Sequence, residues 1–149
     1  MSPLYQRIVP LLARLLICAV FLLAGIGKIT NWSGTEASMR DHGLTIATPV
    51  LLGIVIAVEI LGGLALLVGF HVRVVAIVLF LFLIPATLGY HNFWAFSEAA
   101  FQQQLTNFLK NLAIMGGLLD VSVAGAGILS LDAARARRPF WAFWRRPAI

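Results

Sequence analysis

Four long apolar runs constrain the fold of this chain more than any other feature. They cover residues of about 9–29, 49–68, 74–90 and 108–130, and each is long enough to cross the hydrocarbon core of a membrane as a helix. Hydrophobic residues make up 60% of the 149 residues and charged residues only 11%, with a mean hydropathy of +0.93. A water-soluble domain of this length could not bury so much apolar surface. The sequence therefore predicts an all-α integral membrane four-helix bundle that forms a single domain over residues 1–149.

The distribution of arginine predicts that both termini lie in the cytoplasm. Four crossings put the termini on one side of the membrane, which would carry Arg7, Arg73 and a basic tail over residues 132–149. The opposite side would carry mainly Arg40. Arginines and aromatic residues alternate in the tail, a pattern typical of contact with anionic lipid headgroups rather than with nucleic acid. These tail residues are Arg135, Arg137, Arg138, Trp141, Phe143, Trp144, Arg145 and Arg146.

The first apolar run carries a stripe of residues that should face other helices. Arg14, Cys18, Phe21, Gly25 and Lys28 are spaced four, three, four and three residues apart. At about 100° per residue, this spacing places them on one helix face. A stripe with a cation near each end favours protein neighbours over lipid. Cys18 is the single cysteine, so an intrachain disulfide is excluded and a buried packing role is expected.

Glu59 is the most informative residue of the second apolar run. It lies roughly 16 Å from Pro49 along the helix, at a depth where an unpaired ionised carboxylate costs several kcal/mol. It must therefore be paired, hydrogen-bonded or protonated. Gly62 and Gly63 lie on the same face and allow another helix to approach closely. Two interpretations stay open: a proton-accepting or ligand-binding carboxylate, and a structural ion pair between two helices.

The two cations of the first run also have alternative interpretations. Arg14 lies about 9 Å inside the cytoplasmic end of its helix, so its long side chain could extend to the surface or face Glu59 inside the bundle. Lys28 could complement the partial negative charge at the C-terminus of its helix. Its position on the same face as Arg14 slightly favours an inward role.

The later runs add further polar groups on the outer side. His91 follows a proline-containing helix and suits a hydrogen-bonded position at the membrane interface, or proton transfer beside a carboxylate. Lys110 and Asn111 open the membrane part of the last helix, and the amide of Asn111 can both donate and accept hydrogen bonds. The predicted topology brings Lys28, His91, Lys110 and Asn111 together near the outer surface.

The remaining titratable residues do not predict a metal site. His42, His71 and His91 fall on different loops without the spacing of metal ligands. Asp120 lies about 180° around its helix from Asn111, among small residues suited to close helix packing. We interpret Asp120 as structural, at a contact between helices or between subunits of a homo-oligomer.

The ordered set of these residues resembles the DoxX family of small bacterial membrane proteins, over nearly the whole chain. The resemblance implies a four-helix bundle in the bacterial inner membrane, and a loose association with quinones and with membrane oxidoreductase complexes. It rests on Arg14, Phe21, Gly25 and Lys28, Glu59-x-x-Gly62-Gly63 with Gly69, Arg73, His91, Asn107-Phe108-x-Lys110-Asn111, and Gly127 to Asp132.

Two functional hypotheses follow. In the first, a polar pocket in the membrane binds a small ligand such as a quinone headgroup, and Glu59 or His91 moves protons. The predicted ligand-binding residues are Arg14, Lys28, Glu59, His91, Lys110 and Asn111. The sequence carries no redox-active motif, nucleotide-binding loop or nucleophile elbow, so no cofactor is intrinsic and electrons would come from a redox partner protein or a bound cofactor.

In the second hypothesis, the protein is a non-catalytic scaffold or assembly subunit of a partner complex. Its buried charges would then only hold the helices together, and its basic tail would dock lipid or a cytoplasmic partner. A small transporter fits less well, because four crossings leave little room for alternating access and no inverted repeat is visible.

Overall fold

The computed structural model describes residues 3–136, and over this part of the chain it is entirely helical. The predicted all-α class is thus confirmed. The basic tail beyond residue 136 lies outside the described residues. The helices are α1 (Pro3–Thr30), α2 (Trp32–Asp41), α3 (Thr48–Val68), α4 (Val72–Tyr90), α5 (Glu98–Ala124) and α6 (Leu131–Ala136), with a short 3-10 turn at Phe93–Ala95.

Four long helices form a ring in which each helix has two neighbours. Helix α1 packs against α3 and α5, and α4 packs against the same two helices. Among the described residues, three segments are long and apolar enough to cross a membrane: Leu4–Thr30, Thr48–Val68 and Val72–Ala95. Helix α5 is 27 residues long, but Lys110, Asn111 and Asp120 lower its hydropathy.

The outer surface of the bundle is apolar. Leu16, Leu23 and Val123 are 72%, 70% and 75% exposed. Exposing such large apolar side chains to water would be unfavourable in free energy. The interior is apolar as well and includes the fully buried Leu79 and Leu118. A bundle that is apolar on both its inner and its outer face is suited to a lipid environment.

Proline and glycine set the ends of the membrane-length helices. Helix α3 has Pro49 in its first turn and ends at Val68. The next residue, Gly69, caps the helix with a left-handed φ of 72°, a conformation that favours glycine. The following turn is so short that α4 must run antiparallel to α3 beside it. The fourth apolar run was predicted to continue to about residue 130, but α5 ends at Ala124. Gly125 and Gly127, with φ values of 82° and 71°, interrupt the helix because helical residues need negative φ.

Adjacent glycines on α3 allow two different helices to approach. A β-carbon at Gly62 would lie 2.7 Å from Cδ2 of Leu79 on α4. A β-carbon at Gly63 would lie 2.9 Å from Cδ2 of Leu22 on α1. The close approach predicted from this glycine pair is confirmed, and α3 uses it toward both of its neighbours in the ring. Close backbone packing of this kind is a main source of attraction between helices in lipid.

Candidate functional site

An ion pair connects α1 and α3 inside the bundle. The ammonium of Lys28 donates hydrogen bonds to both carboxylate oxygens of Glu59, at 2.7 Å to Oε1 and 3.0 Å to Oε2. The Glu59 side chain is only 6% exposed, whereas the Lys28 side chain remains 27% exposed. The carboxylate of Glu59 is therefore buried, and of the two partners only Lys28 is substantially exposed at the bundle surface.

Gly25 allows this pair to form. A β-carbon at Gly25 would lie 2.8 Å from Cδ1 of Ile60 and 3.3 Å from the β-carbon of Glu59. The absence of a side chain thus lets α1 approach the segment of α3 that carries the carboxylate. Lys28 follows Gly25 by three residues, on the same helix face, so its side chain projects toward Glu59.

The polar groups of α4 and α5 form separate contacts with each other. The amide nitrogen of Asn111 donates to the hydroxyl of the buried Thr87 at 3.0 Å. One ring nitrogen of His91, Nδ1, lies 2.8 Å from the side-chain oxygen of Gln104, and with the proton on Nδ1 it donates to that oxygen. Lys110 is exposed. No hydrogen bond between described residues connects this group to the Lys28–Glu59 pair.

Arg14 lies far from Glu59, and both interpretations of Arg14 from the sequence are wrong. Its side chain is 1% exposed, so it does not extend to the surface. Its guanidinium donates through Nη1 to the carbonyl of Leu66 at 3.0 Å and that of Leu67 at 3.3 Å, and through Nη2 to that of Leu129 at 2.6 Å. Two of these carbonyls end α3, where the helix dipole is negative. The guanidinium of Arg14 thus binds a helix end directly, and no carboxylate of residues 3–136 forms an ion pair with it.

Asp132 has a role that sequence reasoning missed. Its carboxylate accepts hydrogen bonds from the backbone N–H groups of His71 at 2.8 Å and Val72 at 3.0 Å, and so caps the first turn of α4 from a distant part of the chain. Its own N–H donates to the carbonyl of Gly69 at 3.0 Å. Asp132 closes the family-like segment from Gly127, but spacing alone could not show that this segment folds back onto the turn between α3 and α4.

The other titratable side chains of residues 3–136 do not cluster around a metal-binding position. No group of three or more His, Cys, Asp or Glu side chains could hold a metal ion there. Cys18 is buried, as predicted, and its thiol donates to the carbonyl of Leu15 at 3.3 Å. Asp120 is exposed on the outward face of α5, so the predicted contact with another helix is wrong for residues 3–136, and a contact between subunits stays a prediction. The Lys28–Glu59 pair is consequently the strongest candidate for a functional site.

Comparison with known proteins gives consistent matches. The DoxX family model matches residues 9–92, and the SURF4 family model matches residues 63–138. Inner membrane protein YqjF of Escherichia coli (strain K12) is 35% identical over 82% of this chain and 88% of its own length. Inner membrane protein YphA of the same organism is 27% identical over 82% of this chain and 86% of its own length. No solved structure matches the chain significantly.

We expect Arg14→Met to lower the free energy of unfolding by about 2 kcal/mol or more, because buried carbonyl groups lose a charged donor. Arg14→Lys should restore only part of this loss, since one ammonium cannot reproduce a guanidinium that reaches α3 and Leu129 at once. The measurement is reversible unfolding in detergent. Arg40→Met, at an exposed arginine of α2 that pairs with Glu36, is the matched control. Equal stability of Arg14→Met and Arg40→Met would contradict this role.

Proposed function

This chain belongs to the DoxX family and is a multi-pass inner membrane protein, and from this premise we propose that it is a quinone-linked subunit whose Lys28–Glu59 pair binds a quinone headgroup. The observation that carries the proposal is the asymmetry of the pair. A carboxylate that is 6% exposed faces an ammonium that is 27% exposed. A ligand dissolved in the bilayer could therefore reach the cation without first separating the two helices.

The hydrogen-bonding capacity of Lys28 supports this assignment. An ammonium has three N–H donors, and those of Lys28 have two acceptors on Glu59. A further donor is thus available for a quinone carbonyl oxygen. Glu59 holds the ammonium in place and can accept a proton from it, so the pair can pass protons to or from the headgroup.

The other predicted ligand-binding residues contribute less directly. Asn111 lies on α5 and His91 directly follows α4, and their hydrogen bonds with Thr87 and Gln104 orient them within the outer half of the bundle. Arg14 is at the opposite end and has no part in this proposal. The side chains of the chain supply hydrogen bonds and protons, and the electrons for quinone reduction would come from a redox partner protein.

We further propose that α5 is a fourth crossing and that both termini are cytoplasmic. Helix α5 begins near His91 and ends beside the turn between α3 and α4, where Asp132 caps α4. It therefore runs the full height of the apolar bundle, antiparallel to α4. The arginines near the termini favour the cytoplasmic side for that end.

Cysteine labelling tests this topology. In a Cys18→Ala background, single substitutions are made at exposed positions of α2, of the connection before α5, and of α6: Ala37→Cys, Ser97→Cys and Ala134→Cys. In spheroplasts, a membrane-impermeant maleimide should label the first two and not the third, while permeabilisation should expose all three. Labelling of Ala134→Cys from outside together with Ser97→Cys would show that α5 does not cross.

Removal of the carboxylate tests the quinone proposal. Glu59→Gln and Lys28→Met should each weaken binding of a short-chain ubiquinone to the purified protein in nanodiscs by about tenfold, because a hydrogen bond involving a charged group contributes roughly 1.5–3 kcal/mol. Binding can be followed by quenching of intrinsic tryptophan fluorescence. Glu36→Gln removes the acid of an exposed ion pair on α2 and should leave the affinity unchanged.

Two outcomes would refute the quinone proposal: no binding to the unaltered protein, or equal binding to the protein with Glu59→Gln. The thermal unfolding of each variant separates lost binding from lost folding. A folded Glu59→Gln variant that binds the ubiquinone as the unaltered protein does would leave the pair with a packing role only.

A non-catalytic scaffold is the second candidate function, and one observation favours it. The polar groups of Arg14, Thr87, Asn111 and His91 all bond to neighbouring helices or their ends, as expected if their task is to fix helix packing. Under this alternative, Glu59→Gln lowers stability and recovery of an assembled complex, and no quinone binds.

A further inference from the structure

An open groove of about 360 Å³ lies at the end of the bundle opposite the Lys28–Glu59 pair. It is formed where α4 begins and α5 ends, at one end of the membrane-length segment Val72–Ala95. Residues from the start of α4, from the connection after α5 and from α6 line it: His71, Arg73, Val74, Gly125, Gly127 and Asp132.

Arg73 places an exposed positive charge in this groove. It is exposed, and it makes no hydrogen bond or ion pair with any residue between positions 3 and 136. Gly125 leaves room for it, because a β-carbon there would lie 3.3 Å from both Nε and Nη2 of Arg73. The guanidinium therefore extends along bare backbone at the edge of the groove and keeps its donors available.

The one acidic residue that lines the groove, Asp132, forms no ion pair with Arg73. Both carboxylate oxygens of Asp132 accept backbone N–H groups at the start of α4, at 2.8 and 3.0 Å. A second cation, Arg135, lies at the rim. Its Nη1 is 3.3 Å from Nε2 of His71, and its guanidinium lies 4.5 Å from the centre of the Phe70 ring.

Apolar side chains continue from the groove along the lipid-facing surface. Val74, next to Arg73, is 62% exposed, and the exposed Ile77 follows it by about one helical turn. Val123 is similarly exposed near the end of α5. A free phosphate ion would gain nothing from these residues, whereas a phospholipid would place its headgroup on the cation and its acyl chains on the valines and isoleucine.

We propose that this groove binds the phosphate of an anionic phospholipid, with Arg73 as its main ligand and Arg135 as a second source of positive charge. Basic pockets between membrane helices bind anionic headgroups through the same chemistry. The site is independent of the quinone proposal, since the two lie at opposite ends of the bundle and share no residue.

The test compares phosphatidylglycerol with phosphatidylcholine by native mass spectrometry of the full-length purified protein. Phosphatidylglycerol should bind more tightly, and Arg73→Gln should weaken its binding about fivefold, as expected for one basic residue near a membrane surface. Arg40→Gln, at an exposed arginine of α2 at the other end of the bundle, should leave the affinity unchanged. The arginines of the tail are present in every variant, so their contribution cancels in the comparison.

Arg73→Lys keeps the charge and should retain most of the binding, and all three variants should unfold at the temperature of the unaltered protein. Equal affinity for the two lipids, or equal affinity of the unaltered protein and the Arg73→Gln variant, would overturn the proposal. Displacement of phosphatidylglycerol by glycerol phosphate at similar concentration would overturn it as well, because the site would then select a soluble anion rather than a lipid.

Discussion

A carboxylate and an ammonium meet inside an apolar bundle, and the packing of α1 on α3 depends on that meeting. Glu59 is almost completely enclosed, and both of its oxygens accept hydrogen bonds from Lys28. Either charge alone would cost several kcal/mol at this depth. Any displacement that separates them is therefore strongly unfavourable.

Polar contacts between these helices are important because the bundle is suited to lipid rather than water. Lipid chains are as apolar as leucine, so the hydrophobic effect does not draw one membrane helix toward another. Specificity must come from close packing and from polar contacts. Here the glycines of α1 and α3 allow the close packing. The polar contacts differ between the two ends of the bundle. Lys28 and Glu59 form an ion pair at one end, and the guanidinium of Arg14 binds the carbonyls that end α3 at the other.

Much of this arrangement could be predicted from the sequence, because charged residues in long apolar runs are few and their periodicity is clear. The helical class, the inward position of Lys28 and Glu59, and the close approach at Gly62 and Gly63 follow from that pattern. The partner of Glu59 could not be chosen in advance, since Arg14 and Lys28 occupy one face of the same helix. They are separated by about 21 Å along the axis. Which of them pairs with Glu59 depends only on how α1 is aligned with α3 along the bundle axis. The cap from Asp132 depends on a fold-back of the chain after Gly127, which has no periodic signature.

The central claim is that Lys28 and Glu59 are energetically coupled across α1 and α3. A double-mutant cycle with Lys28→Met, Glu59→Gln and the combined variant measures this coupling through the free energy of unfolding in detergent. We predict that the two single substitutions are non-additive by about 0.5–3 kcal/mol, as found for residues in direct contact. Effects that add within about 0.3 kcal/mol would contradict the claim and show that the two charges are held apart by their surroundings.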